Sequence, residues 1–129
     1  MKEEIDISFH LNRRNYDEMS FEVKGTIENK IDYTRIIFDE PLDEGAKTVV
    51  DIYDEKIILK RFGKVKTKME YSLNEETFVS ITTDFGYELN MLNHTKTIEK
   101  NHNYIHVIYQ TEADLEQGLE HELVLNWNR

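Results

Sequence analysis

Apolar side chains recur at every second position along almost the whole chain, and this restricts the fold more than any other feature. Ile5, Ile7, Phe9 and Leu11 share one parity, and Met19, Phe21, Val23 and Ile27 do the same, with Gly25 between them. Val49, Val50 and Ile52 lie in 47–53, and Ile57 and Leu59 alternate with Lys56 and Lys60. Val65, Thr67, Met69 and Tyr71 alternate with Lys64, Lys66, Lys68 and Glu70. Val79, Ile81 and Thr83 follow, then Tyr87, Leu89 and Met91. The longest run is Ile105, Val107, Tyr109, Thr111, Ala113 and Leu115, and His121, Leu123, Leu125 and Trp127 close the chain. One dry face and one wet face is the pattern of a half-buried antiparallel strand.

The intervals between runs are short and turn-like, at 54–55, 62–64, 72–76, 93–94 and 101–103. Strands recurring every 8–12 residues or so mark an all-β domain of about ten strands. Closing so many strands into a barrel removes sticky edges, so an antiparallel barrel is expected, with a two-sheet sandwich as the alternative. At 129 residues the chain makes one domain, residues 1–129. Leu115, Leu119 and Leu123 are spaced four apart within a stretch of helix formers, but Gly118 and the flanking alternation favour a hairpin turn there over a short helix. Asp39, Glu40, Pro41, Asp43, Glu44 and Gly45 read as an acidic surface loop.

Composition narrows the function classes. Seven Tyr, six Phe and one Trp argue against disorder. The chain contains no Cys, which excludes disulfides, thiolate metal sites and cysteine nucleophiles. The start Met1-Lys2-Glu3-Glu4-Ile5-Asp6 has no signal-peptide stretch, and no window approaches the roughly 18 apolar residues of a membrane span, so a cytoplasmic protein is expected. Asn93-His94-Thr95 fits a glycosylation acceptor but carries no meaning without a secretory route. A net charge of −10 disfavours nucleic acid and anionic membranes as partners.

The stretch Ile58-Leu59-Lys60-Arg61-Phe62-Gly63-Lys64-Val65-Lys66-Thr67-Lys68-Met69-Glu70-Tyr71, followed by Thr82-Thr83-Asp84-Phe85-Gly86-Tyr87, resembles the central hairpin and next motif of the YwiB-like family. These are small bacterial proteins classed as a domain of unknown function. The likeness is most specific over 34–92. It implies a calycin-like β-barrel, the architecture shared with lipocalins, and no established activity.

Arg61 shares the parity of Ile57 and Leu59, which turns a guanidinium toward the dry face. Such a charge must be paired or hydrogen-bonded. It either holds a carboxylate or phosphate of a ligand at a barrel mouth, or snorkels at the rim, or pairs internally with an acidic side chain or turn carbonyls. Tyr71, Tyr87, Tyr109, Trp127, Met69 and Met91 also take inward parities and either fill the barrel or line a small cavity. Thr67, Thr83 and Thr111 share those parities and suit either oriented polar groups of a pocket or plain strand residues. A pocket for a small amphipathic or anionic ligand would therefore use Arg61, Thr67, Met69, Thr83, Tyr87 and Tyr109. Gly63 and Gly86 are expected to serve turns that need positive φ.

Charge is unevenly distributed. Residues 46–68 carry 7 basic and 3 acidic side chains, whereas 1–45 and 69–129 are net −6 and −8. Lys56, Lys60, Lys64, Lys66 and Lys68 point outward on one hairpin. The plain reading is a solvated face that blocks edge pairing. The functional one is a docking face, Lys60, Lys64, Lys66 and Lys68, for a protein partner or a second copy.

Five histidines, His10, His94, His102, His106 and His121, suggest titrating surface groups rather than a metal site. His102 and His106 would share a strand face about 13 Å apart, too far for one ion. Ser80, Asp84 and His94 have no spacing that sets a triad. No cofactor or metal is expected. The residues point to a non-enzymatic barrel that binds a small ligand in its mouth or, as the alternative, a protein through its lysine face with the interior filled.

Overall fold

The computed structural model describes residues 2–13, 17–42, 45–73 and 75–129, with the side chain of Asp17 left aside. Ten strands and one helical turn follow in chain order. They are β1 (Lys2–Arg13), β2 (Asp17–Asn29), β3 (Tyr33–Asp39), β4 (Lys47–Tyr53), β5 (Ile57–Phe62), β6 (Lys66–Tyr71), β7 (Thr77–Thr82), β8 (Glu88–Asn101), β9 (Tyr104–Thr111), α1 (Glu112–Leu115) and β10 (His121–Asn128). Every strand pairs antiparallel with its chain neighbours, and β1 pairs with β10 to close the barrel. The closing register sets Ile7 opposite Trp127 and Leu11 opposite Leu123, so the first strand completes the wall. The barrel, rather than the sandwich, is the outcome.

Period two sorts the wall as expected. Ile36, Val50, Ile57, Ile105, Val107 and Leu125 are fully buried and fill the interior. Phe9 stacks on Phe21 at 4.9 Å between ring centroids, and both rings abut Phe38 at 5.8 Å. Gly25 permits a close approach of strands: a Cβ there would lie 2.5 Å from the Ile37 carbonyl oxygen and 2.6 Å from Ile7 Cδ1. The gap is too short for any side chain.

The structure corrects several expectations. Residues 93–94 are no turn, because β8 runs on through them and absorbs an irregularity between Thr95 and Thr97. Asn93 is fully buried and its Nδ2 donates to the Glu70 carbonyl at 2.9 Å, which holds the polar residue inside the strand. The 105–115 run breaks at Thr111, since Ala113 and Leu115 belong to α1. The hairpin turn expected over 112–122 contains this single helical turn. The Thr111 amide and hydroxyl both donate to Asp114 Oδ2, at 3.0 and 2.7 Å, satisfying groups at the helix start. Gly118, with φ of 65°, ends the turn, and Leu119 donates back to the Asp114 carbonyl at 3.1 Å. Gly86 takes the expected positive φ of 84°, whereas Gly63 does not; Gly63 sits beside the Ala46 methyl instead. Asp43 and Glu44 of the acidic loop, and Asn74 of the 72–76 connection, lie outside the described residues.

Candidate functional site

Two regions contain the residues singled out from the sequence. The first is the barrel end bounded by the β3–β4, β5–β6 and β7–β8 connections. Arg61, near the end of β5, stands opposite Thr48 on one side and Thr67 on the other. Its guanidinium is turned onto Glu40: Nε donates to Oε1 at 2.8 Å and Nη2 to Oε2 at 2.9 Å. The Thr48 hydroxyl donates to Glu40 Oε1 at 2.8 Å. The Glu40 side chain is only 9% exposed, so a residue read as part of an acidic surface loop is folded under the rim. Its amide donates to the Ala46 carbonyl, which fixes the loop that delivers it. This is the internal pairing with an acidic side chain, in bidentate geometry.

The other members of the expected pocket do not converge on Arg61, apart from Thr67. Met69 lies one layer deeper, opposite Leu59 and Val79, and its sulfur accepts a hydrogen bond from the Tyr71 hydroxyl at 3.4 Å. Tyr109 is buried beside Tyr71, with ring centroids 4.8 Å apart. Burial pushes the Tyr109 phenol up to about 12 and raises that of Tyr71 as well, so both stay neutral. Thr83 closes the β7–β8 turn: its amide donates to the Tyr87 carbonyl, and its hydroxyl accepts from the Tyr87 amide. Tyr87 contradicts its expected inward direction and is exposed, because it belongs to this turn, where strand parity does not apply. Glu40 and Thr48 were not among the expected site residues. The signal for Glu40 was present, since it continues the inward parity of Ile36 and Phe38.

The second region is the outer face of β5 to β8. Lys60 lies directly opposite Lys68, and Lys68 opposite Ser80, which in turn faces Asn90. One row nearer the barrel end, Lys66 faces Thr82, and Thr82 faces Glu88. Lys64 is exposed in the β5–β6 turn. None of Lys60, Lys64, Lys66 and Lys68 makes an ion pair among the described residues. Most cations elsewhere are held. Lys24 pairs with Asp6, Lys30 with Glu28, Arg35 with Asp51, Lys47 with Asp39, Lys96 with Glu120 and Arg129 with Glu3. Lys100 donates to backbone oxygens of Tyr53 and Asp54, and Lys56 lies 5.1 Å over the Tyr53 ring.

His94 and His102 are exposed as expected, but three placements differ from expectation. His102 occupies the β8–β9 turn and shares no strand with His106. His106 and His121 are half-buried rather than free on the surface: His106 Nε2 lies 2.7 Å from Glu122 Oε2, and His121 Nε2 lies 2.8 Å from Asp114 Oδ2. His121 also stacks on Tyr109 at 4.9 Å. Among the described residues no group of three or more His, Asp or Glu is arranged to hold a metal ion. Ser80 faces outward between Lys68 and Asn90, and His94 lies four residues beyond Asn90 along β8, about 13 Å away in an extended strand. Ser80 and His94 are therefore not brought together. No helix among the described residues is long and apolar enough to cross a membrane.

Comparison with known proteins agrees with this architecture. A crystal structure of the ywiB protein from Bacillus subtilis is similar over 98% of this chain and 92% of its own, with a TM-score of 0.80 and 18% sequence identity. That likeness shows the shared all-β barrel. A search of curated proteins gives no match. A family model described as a domain of unknown function, DUF1934, matches residues 5–125, and the chain therefore belongs to that family.

Proposed function

We propose that this barrel is a non-enzymatic docking module whose lysine face takes an anionic macromolecular partner. One observation carries the reading. Lys60 and Lys68 stand in direct cross-strand register with Lys64 and Lys66 beside them, and none of the four has a carboxylate partner among the described residues. Like charges directly opposite destabilise a sheet. An anionic partner removes that cost on binding. The filled interior supports a surface role, and the guanidinium that would hold the head group of a small anionic ligand in the mouth is already held by Glu40. For that reason the mouth is the weaker candidate. A cytoplasmic location and a kinship with calycin-like barrels are part of the proposal; the closed antiparallel meander supports the second.

The test is a fluorescence titration of labelled polyanions, a poly-glutamate peptide and a single-stranded oligonucleotide, against the wild type and a Lys64→Glu/Lys66→Glu/Lys68→Glu variant. At least one polyanion should bind the wild type and lose at least tenfold in affinity to the variant. The variant should melt no lower than the wild type, because Lys60 then faces a glutamate. Equal binding by both proteins would remove the lysine face from the account.

A further inference from the structure

The lysines do not stand alone, and what lies beside them narrows the partner. Phe62, which ends β5, is 44% exposed, and Phe85 and Tyr87 in the next turn are 88% and 74% exposed. Phe78 on the outer face of β7 is 57% exposed. The β5–β6 and β7–β8 turns project from the same end of the barrel, so Phe62, Phe85 and Tyr87 flank the Lys64 and Lys66 end of the basic rows. Ser80, Thr82 and Asn90 continue those rows with uncharged hydrogen-bonding groups. Tyr87 is placed by the Thr83 hydrogen bonds that close its turn.

We propose that the partner is a single-stranded nucleic acid, with phosphates on Lys60, Lys64, Lys66 and Lys68 and unstacked bases on Phe62, Phe85 and Tyr87. This inference rests on the docking reading above and specifies its partner. Lysines interleaved with exposed rings are the chemistry of sequence-tolerant single-strand binding, because every base has a face to stack while the ammonium groups track the backbone. An acidic polypeptide uses the charges but leaves the rings in water. A duplex keeps its bases stacked on one another and out of reach of them.

The net charge of −10 weighs against nucleic acid at long range, but it arises from segments 1–45 and 69–129, while 46–68 is net +4. At physiological salt, charges more than about 8 Å away are largely screened, so the nearby lysines dominate the final approach. Glu70, Asp84 and Glu88 border the face and confine the strand to the lysine rows.

The experiment is fluorescence anisotropy with labelled oligo-dT and oligo-U of about 15 nucleotides, a duplex of equal length, and a labelled poly-glutamate peptide. Proteins are the wild type, the triple lysine variant above and a Phe85→Ala/Tyr87→Ala variant, whose exposed rings leave the core intact. The single strands should bind best. With four phosphates contacted, affinity should fall roughly 50-fold between 50 and 200 mM salt. The Phe85→Ala/Tyr87→Ala variant should lose on the order of tenfold or more. If poly-glutamate binds and the single strands do not, the nucleic-acid inference fails while the docking reading stands. If neither binds, both fail. If single strands bind equally well to the aromatic variant, or no better than the duplex, stacking is excluded and the inference is overturned.

Discussion

Arg61 and Glu40 illustrate how far side-chain parity carries at single positions. Counting from Ile57 and Leu59 puts the Arg61 side chain on the dry side, and it is there. The identity of its partner was also legible, because Glu40 continues the inward series of Ile36 and Phe38, but a neighbouring Pro and three further acids made the segment read as solvent-facing loop. Two charge-assisted hydrogen bonds at a half-buried rim should couple the residues by about 1–2 kcal/mol. Urea unfolding of Glu40→Ala, Arg61→Ala and the double variant measures this coupling directly. The double variant should lose clearly less stability than the two single losses added together. Strict additivity would mean that the pair contributes no net coupling. Tyr87 shows the opposite limit: parity failed there because Gly86 at positive φ turns the chain, and the alternation on either side belongs to two different strands.

Among the elements, the strands were legible and the connections were less so. Period two marks most of the ten strands, and it survives any exchange of one apolar residue for another. The 112–122 segment held competing signals, and both were partly realised: a single helical turn forms, and Gly118 then reverses the chain. Helical spacing of Leu115, Leu119 and Leu123 was misleading, since Leu115 is exposed on α1 and Leu123 is buried in β10. The residue that organises the turn is Asp114, which accepts from the Thr111 amide and hydroxyl and lies against His121. Burial pushes its carboxyl up, but the Thr111 hydrogen bonds and the neighbouring His121 outweigh this and hold it below the ordinary aspartate range. A carboxyl depressed in the folded state contributes stability that is complete above its unfolded value and is lost as pH falls through its folded value. Wild type should therefore exceed Asp114→Asn in stability near neutrality, and the gap should narrow as pH drops through and below the usual aspartate range. A gap independent of pH would show that the charge on Asp114 plays no part.

For the molecule as a whole, closure is the decisive property. With β1 bonded to β10 every strand has a neighbour on both sides, and edge pairing is confined to overhangs such as the first half of β2, which pairs with β1 alone. The remaining outer wall and the two ends offer side chains for recognition. The barrel was readable from alternation and strand count; the pairing of the first strand with the last was not, because long-range register leaves no local mark. The lysine face was readable as a charge cluster, but the direct opposition of Lys60 and Lys68 and the clustering of exposed rings beside it needed the folded wall. The net charge described a molecule that should repel polyanions, whereas the folded surface separates one basic face from an acidic remainder. Titration of the 15N-labelled protein with oligo-dT, followed through its amide spectrum, tests this face most directly. Shifts should concentrate at Lys60 to Lys68 and along the outer side of β7 and the β7–β8 turn, with β1, β2 and β10 unmoved. No shifts at saturating oligonucleotide, or shifts centred on β1, β2 and β10, would contradict the assignment of this surface as the docking site.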